Sequence, residues 1–144
     1  MIAVDTNVLL RYLLWDDERQ AAKADRLMNG PAAVLITDVV LAETLWTLKG
    51  KKYGLPKPTL IGVVLALFAE TNVRFEDGPM VWKALHDYRQ AKSVKVGRKK
   101  RAADFPDALL VHKARYCAVT RGEPLDAIYT FDAAARKLPG TKAP

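Results

Sequence analysis

The sequence has little of what secreted or membrane-anchored proteins usually carry. It contains one cysteine, Cys117, so no disulfide can form within the chain. Its longest apolar stretch, Leu60–Ala69, is well short of the roughly 20 residues that a membrane-spanning helix needs. No basic start and no long apolar segment precede the acid at Asp5, so no signal peptide is predicted. We therefore expect a cytoplasmic protein without membrane contact.

Positive charge, in contrast, is in excess. The 144 residues include 23 Lys and Arg against 16 Asp and Glu, which gives a net charge of +7. The length and the 50% hydrophobic content suit one domain, which we predict to cover residues 1–138, with a flexible tail at residues 139–144. A basic balance favours polyanionic partners, nucleic acid above all. Charge alone does not exclude the alternative, which is a basic protein that binds no nucleic acid.

Short apolar runs alternate with amphipathic segments along the chain. The runs predicted as buried strands are Ile2–Val4, Val34–Ile36, Val73–Phe75 and Ile128–Thr130. The segments predicted as helices are Val8–Leu14, Asp16–Met28, Val39–Leu48, Thr59–Glu70, Pro79–Ala91 and Ala103–Ala118. This alternation predicts an α/β fold with a central parallel sheet flanked by helices.

Acidic residues occupy positions where such folds bind ligands. Asp5 directly follows the first predicted strand and Asp132 follows the last. Ligands bind beyond the carboxyl ends of parallel strands, so we expect these two acids at one edge of the sheet. Glu43 and Asp107 lie on helices, on faces that also carry apolar residues. We expect both faces to pack inward, where a carboxylate needs a partner or a cation. Asp104, one turn before Asp107, can reach the same site from its rim.

Each of these acids also has a structural alternative. Asp5 and Asp132 can be helix N-caps, and Asp104 can be an acid that favours a helix N-terminus. Glu43 can pair with a buried Arg or Lys. The joint pattern favours a metal site, because several hard oxygen ligands converge and their own segments contain no obvious basic partner. Mg²⁺ or Mn²⁺ prefers such ligands.

Four segments carry a family resemblance. They are Val4–Leu9, Thr37–Glu43, Ala103–Leu110 and Tyr129–Asp132. In this order, and in a chain of this length, they resemble the PIN-domain family of ribonucleases and within it the VapC-like toxins. The resemblance implies a three-layer α/β/α fold. A haloacid-dehalogenase-like phosphatase is disfavoured, because that family needs a second acid two residues after Asp5, where this chain has Asn7.

The resemblance also implies a site. The residues that it assigns to catalysis and metal binding are Asp5, Glu43, Asp104 and Asp107, with Asp132 at a more variable metal position. The residues that it assigns to support of the metal site are Thr6, Asn7 and Thr130. Mg²⁺, with Mn²⁺ as a substitute, would activate water to hydrolyse RNA phosphodiesters.

Partners follow from the same resemblance. It implies an RNA substrate, a homodimer, and a cognate antitoxin whose tail would fill the acidic groove and neutralise the toxin. The alternative is a non-catalytic PIN domain that binds RNA or a protein partner. Such domains usually lose acids that this chain retains.

A basic segment leads into the third of the four matching segments. Its cations, which fall within seven residues, are Lys95, Arg98, Lys99, Lys100 and Arg101. We interpret the segment as a connection that binds RNA phosphates beside the acids, where it would offset their repulsion of RNA. The alternative is a solvated loop without a role, since charge runs usually face water.

Overall fold

Helices and short strands are interspersed along the whole chain. The computed structural model describes residues 1–144, which divide into two compact units, residues 1–78 and residues 79–144. A parallel sheet and four helices fill the first unit, which confirms the α/β fold class predicted from the sequence. No helix combines the length and the apolar character that a membrane span requires.

The sheet of the first unit has three parallel strands in the order β1-β2-β3. They are β1 (Ile2–Ala3), β2 (Val34–Ile36) and β3 (Val73–Phe75). The central strand is buried on its inward positions, since Val34 and Ile36 are both 0% exposed. Parallel neighbours need long crossover connections, and the helices between the strands supply them.

Helices of the first unit begin at caps that the sequence provides. They are α1 (Thr6–Leu14), α2 (Glu18–Met28), α3 (Asp38–Lys49) and α4 (Lys57–Ala69). Asp5 and Asp17 accept hydrogen bonds from backbone N–H groups of α1 and α2, and Thr37 does so less closely at α3. Because α1 and α3 start directly after strands, the caps Asp5 and Thr37 lie at the carboxyl ends of β1 and β2.

The second unit consists of two long helices, two small sheets and a final turn. Its elements are α5 (Gly78–Gln90), β4 (Val94–Val96), β5 (Lys99–Arg101), α6 (Phe105–Arg121), β6 (Ile128–Tyr129), a 3-10 turn (Ala135–Lys137) and β7 (Thr141–Lys142). Tyr88 of α5 and Phe105 of α6 meet edge to face with ring centroids 6.1 Å apart. This contact lies in the buried core that the two helices share.

The basic connection is a β-hairpin, which was not predicted from the sequence. Strands β4 and β5 pair antiparallel, with Val96 opposite Lys99. Gly97 adopts φ +61° in the turn, a conformation that glycine reaches without steric cost. The pattern was missed because residues 99–101 are all cationic and offer no apolar alternation.

The last predicted strand is not part of the three-stranded sheet. β6 pairs in parallel with β7, whereas β1 pairs with β2. The expectation that Asp5 and Asp132 lie at one edge of a shared sheet is therefore wrong. Residues 139–144, predicted as a flexible tail, include β7, and Thr141 Oγ1 donates a 2.7 Å hydrogen bond to the carbonyl oxygen of Leu138.

Candidate active site

One carboxylate of the first unit caps α1 at the end of β1, and a second is bonded to the residue that follows this cap. Asp5 caps α1 through a 2.8 Å hydrogen bond in which its Oδ1 accepts from the N–H of Val8. The next residue, Thr6, donates from Oγ1 to Oε2 of Glu43 on α3, at 2.5 Å. Glu43 is thereby fixed beside the Asp5 cap. Both carboxylates are exposed, and neither forms an ion pair.

The predicted inward orientation of Glu43 is wrong. The buried residues of α3 are Leu41, Thr44, Leu45 and Leu48. Glu43 lies on the exposed side with Val39, which is 70% exposed, and Trp46, which is 62% exposed. Large apolar residues occur all around α3, so spacing alone did not identify the packed face. The buried Arg or Lys considered as a partner is also absent, since Glu43 bonds to a hydroxyl.

Further acids follow the other strands of the same sheet. Glu76 comes directly after β3, and its Oε2 accepts a 2.9 Å hydrogen bond from the N–H of Asp38, which follows β2 by two residues. With Asp5 after β1, each of the three parallel strands leads to an acid at its carboxyl end. Neither Asp38 nor Glu76 was predicted as a site residue from the sequence, although each follows a predicted strand, as Asp5 does.

A cavity opens beside Asp5 between α1 and α2. It has a volume of about 340 Å³, and its lining includes Asp5, Asn7 and the cations Arg11 and Lys23. Arg11 pairs with Asp16, and this hydrogen bond lowers the pKa of the Asp16 carboxyl, whereas Lys23 forms no ion pair. The cavity therefore places Asn7 next to Asp5 without giving Asp5 an ion-pair partner.

A second pair of carboxylates lies at the start of α6. Asp104 is the N-cap residue, and Oδ2 of Asp107 accepts a 2.9 Å hydrogen bond from the N–H of Asp104. Both side chains are half-buried. Both acids are thus held at the start of the helix, where its dipole favours negative charge.

Tyr88 of α5 titrates unusually high. Burial, with a smaller contribution from the charge of Asp104, raises the pKa of Tyr88 to about 12.

The predicted inward face of α6 is also wrong. The spacing of apolar residues predicts a face that continues from Asp107 through Leu110, Val111, Ala114 and Cys117. Leu110 is 55% exposed and Cys117 is exposed, although Val111 is buried. The buried residues of α6 are Phe105, Ala108, Leu109 and Val111. The core face is therefore rotated away from the line that runs through Asp107 and Leu110.

Asp132 has structural partners on both carboxylate oxygens. Its Oδ1 accepts from the N–H groups of Ala134 and Ala135, at 2.7 and 3.1 Å, and its Oδ2 accepts from Arg101 at 3.0 Å. The hydrogen bonds from Ala135 and Ala134, with the charge of Arg101, lower the pKa of Asp132. Thr130 Oγ1 accepts from the N–H of Asp132 at 3.1 Å.

These contacts match the capping role considered for Asp132. The basic partner of Asp132 comes from outside the segments that carry the acids, because Arg101 of the basic segment pairs with it. Two of the predicted functional residues, one acidic and one basic, therefore bind each other.

The other cations of the hairpin face solvent. Arg98, Lys99 and Lys100 are exposed, as is Lys95, which stands directly opposite Lys100 on the neighbouring strand. The second unit carries 14 Lys and Arg and 6 Asp and Glu, which gives a net charge of +8. The first unit carries 9 Lys and Arg and 10 Asp and Glu, which gives a net charge of −1. The excess positive charge of the chain therefore belongs entirely to residues 79–144.

One partly buried polar contact could not be anticipated from the sequence. His112 Nε2 lies 2.8 Å from Asp87 Oδ2, which joins α6 to α5. The two residues are 25 positions apart, and no local pattern links them. The contact gives His112 a structural role, whereas the sequence offered it no partner.

The predicted site acids form no larger ligand set within either unit. No group of three or more His, Cys, Asp or Glu side chains within either unit is arranged to hold a metal ion. The pair Asp5 and Glu43 and the pair Asp104 and Asp107 are the groups of predicted site acids that the structure brings together. Asp132 belongs to neither.

Comparison with known proteins identifies the family. The model of the PIN domain family matches residues 2–140, which include both units. The chain belongs to the PIN domain family. Among solved structures it is similar to the toxin VapC20 of Mycobacterium tuberculosis, described as a Sarcin-Ricin loop cleaving toxin. The identity is 22%, the match covers 94% of this chain and 92% of that one, and the TM-score is 0.41. A comparison with curated proteins finds no match.

Proposed function

We propose that this PIN-domain chain is a Mg²⁺-dependent endoribonuclease and the toxin of a toxin–antitoxin pair. The observation that carries the proposal is the hydrogen bond from Thr6 to Glu43, which holds a second carboxylate beside Asp5. Two like charges repel unless a cation neutralises them, and no Lys or Arg of the chain pairs with either. Paired hard oxygen ligands of this kind suit a divalent metal ion.

The proposed metal ligands are the two pairs of acids. They are Asp5 and Glu43 in the first unit and Asp104 and Asp107 in the second. We leave Asp132 out of the ligand set, because its oxygens accept from Arg101 and from two backbone N–H groups. A metal ion there would have to compete with all three donors.

The chain orients its carboxylates before any ligand arrives. The N-cap bond fixes Asp5, the hydroxyl of Thr6 fixes Glu43, and the N–H of Asp104 fixes Asp107. Mg²⁺, or Mn²⁺ in its place, would lower the pKa of water and offset the charge of a phosphodiester. Asn7 adds a polar side chain next to Asp5, whereas Thr130 supports Asp132.

RNA is the proposed substrate, since the second unit carries a net charge of +8. The proposed protein partners are a second copy of the chain and a cognate antitoxin. The exposed apolar residues Val39 and Trp46 flank Glu43 on α3 and suit coverage by a protein partner. A basic side chain from the antitoxin tail would form charge-assisted hydrogen bonds with the acids and so inhibit the enzyme.

Cleavage of labelled RNA in Mg²⁺ and in EDTA tests the proposal. We expect fragments with 3′-hydroxyl and 5′-phosphate ends in Mg²⁺, none in EDTA, and none from Asp5→Asn. The exposed acid Glu123 provides the matched control, and Glu123→Gln should cleave normally. Full cleavage in EDTA would overturn the metal mechanism. RNA binding without cleavage in Mg²⁺ or Mn²⁺ would favour the non-catalytic alternative.

A further inference from the structure

A cavity of the second unit is lined by positive charge. Its volume is about 410 Å³, and it is lined by Val94 and Lys95 of β4, Ala133, and Arg136 and Lys137 of the final 3-10 turn. Three of these five residues are cations and none is an acid. Arg136 and Lys137 had no role predicted from the sequence.

No protein group neutralises the three cations. Lys95, Arg136 and Lys137 form no ion pair and no side-chain hydrogen bond. Asp132 lies near Arg136 in sequence, but its carboxylate is taken by Arg101 and by backbone N–H groups. Three like charges around one cavity repel each other and create a positive potential that an anion relieves.

The positive charge continues from the cavity along the hairpin. Lys95 stands directly opposite Lys100, a like-charged cross-strand pair that is unfavourable in the absence of an anion. Arg98 and Lys99 extend the same charge to the turn. A run of cations suits an elongated polyanion better than a single small ion.

We propose that this cavity, lined by Lys95, Arg136 and Lys137, binds a backbone phosphate of RNA. The cations of the hairpin bind the neighbouring phosphates. An acidic peptide fits less well, because peptides usually add apolar anchors, and the cavity offers only Val94 and Ala133. The inference rests on the proposed function for its choice of RNA, but it concerns binding and needs no cleavage.

The experiment compares two triple variants that lose the same charge. The cavity variant carries Lys95→Ala, Arg136→Ala and Lys137→Ala. The control carries three exposed cations outside the cavity changed in the same way, Lys83→Ala, Lys92→Ala and Arg121→Ala. Binding of a fluorescent single-stranded RNA is measured by anisotropy in EDTA, over a series of salt concentrations.

We expect the cavity variant to bind more weakly and to flatten the slope of log affinity against log salt. The change in slope should be about two, because each phosphate contact on a single strand contributes roughly 0.7. The control should keep nearly the slope of the wild type. Equal slopes for the cavity variant and the wild type, or equal changes in both variants, would overturn the proposal.

Two further measurements sharpen the result. The milder variant Lys95→Gln with Lys137→Gln should change the slope by about one, which guards against a triple variant that folds poorly. Polyglutamate tests the acidic-peptide alternative. If the cavity variant loses polyglutamate binding and keeps RNA binding, the cavity is a peptide site and the proposal is wrong.

Cleavage assays on the same proteins separate this inference from the proposed function. A wild type that binds RNA through the cavity but never cleaves it in Mg²⁺ supports the inference and contradicts the nuclease. A cavity variant with wild-type salt dependence, in a protein that cleaves RNA, contradicts the inference and leaves the nuclease standing.

Discussion

Thr6 and Glu43, 37 positions apart in sequence, share a hydrogen bond of 2.5 Å from the hydroxyl to the carboxylate. Through this bond, α3 delivers an acid to the start of α1, where Asp5 is already fixed as the N-cap. The hydroxyl group of Thr6 thus holds the carboxylate of Glu43 in position. The first two predictions concern this contact.

Glu43→Gln should leave the metal-free protein as stable as the wild type or more stable, by at most about 1 kcal/mol in free energy of unfolding. The amide oxygen can still accept from Thr6, while repulsion of Asp5 is removed. Mg²⁺ should raise the melting temperature of the wild type more than that of the variant, because ligand binding stabilises the native state. Thermal melts in EDTA and in Mg²⁺ measure both effects. A large loss of stability in EDTA, with no Mg²⁺ effect on the wild type, would make Glu43 a structural residue only.

Thr6→Val should lower RNA cleavage by about 10- to 100-fold, the usual effect of removing a residue that orients a metal ligand. Thr6→Ser keeps the hydroxyl and should restore most of the activity. Cleavage rates across a Mg²⁺ titration measure the change, and the Thr6→Val variant should need more Mg²⁺ to reach half of its maximal rate. If Thr6→Ser is as inactive as Thr6→Val, the hydroxyl does not position Glu43 for function.

Asp107→Asn should abolish RNA cleavage, whereas Asp104→Asn should only reduce it. The ranking follows the sequence pattern, which places Asp104 at the rim of the site that Asp107 reaches, whereas the structure shows both acids half-buried at the start of α6. In the Asp107→Asn variant, the amide oxygen can still accept from the N–H of Asp104, so the fold should persist while the charge is lost. Cleavage assays decide the ranking, with Asp126→Asn as an exposed control. The reverse order would reassign the metal ligands of α6.

Replacing Arg98, Lys99 and Lys100 by Ala should weaken RNA binding and flatten its salt dependence by about two. Adding Arg101→Ala should change the slope little further, because Arg101 is already paired with Asp132. Anisotropy titrations of an RNA oligonucleotide over a salt series measure the slopes. If the triple variant keeps the slope of the wild type, the hairpin does not contact RNA phosphates.

Asp132→Asn should lower stability at neutral pH by roughly 1 kcal/mol or less, since the carboxylate is partly exposed and the amide keeps one acceptor. The folded state lowers the pKa of Asp132 below its usual 3.8. Its stabilising effect is therefore present above pH 3.8 and is lost as the pH falls through the lowered value. Melts of both proteins from about pH 7 to about pH 2 should converge in acid. A difference that stays constant over this range would contradict the role of the charge.

Local signals in the sequence were sufficient to predict most of the first unit. Apolar runs bounded by polar residues identified β1, β2 and β3, and the structure shows the helix N-cap that was the structural alternative for Asp5. These features depend on neighbours in sequence, which is why they can be predicted from a single chain.

Features that depend on distant partners were not predicted. Which side of α3 is buried depends on what packs against it, and its own apolar residues, such as Val39 and Leu41, point to several sides. Strand β7 is only two residues long, and its pairing with β6 defines it. The contact between Arg101 and Asp132 spans 31 positions and has no local signature. The candidate acids were identified through recognisable segments, while the packing of the helix faces that carry Glu43 and Asp107 was misjudged.

The bond between Arg101 and Asp132 also orders events during synthesis. The contact closes a loop that contains all of α6, so it forms only when the chain after α6 brings Asp132 back to the hairpin. The base of the hairpin therefore gains this anchor only after the ribosome has delivered Asp132. A nascent chain that stops earlier carries the same cations on a hairpin without this attachment.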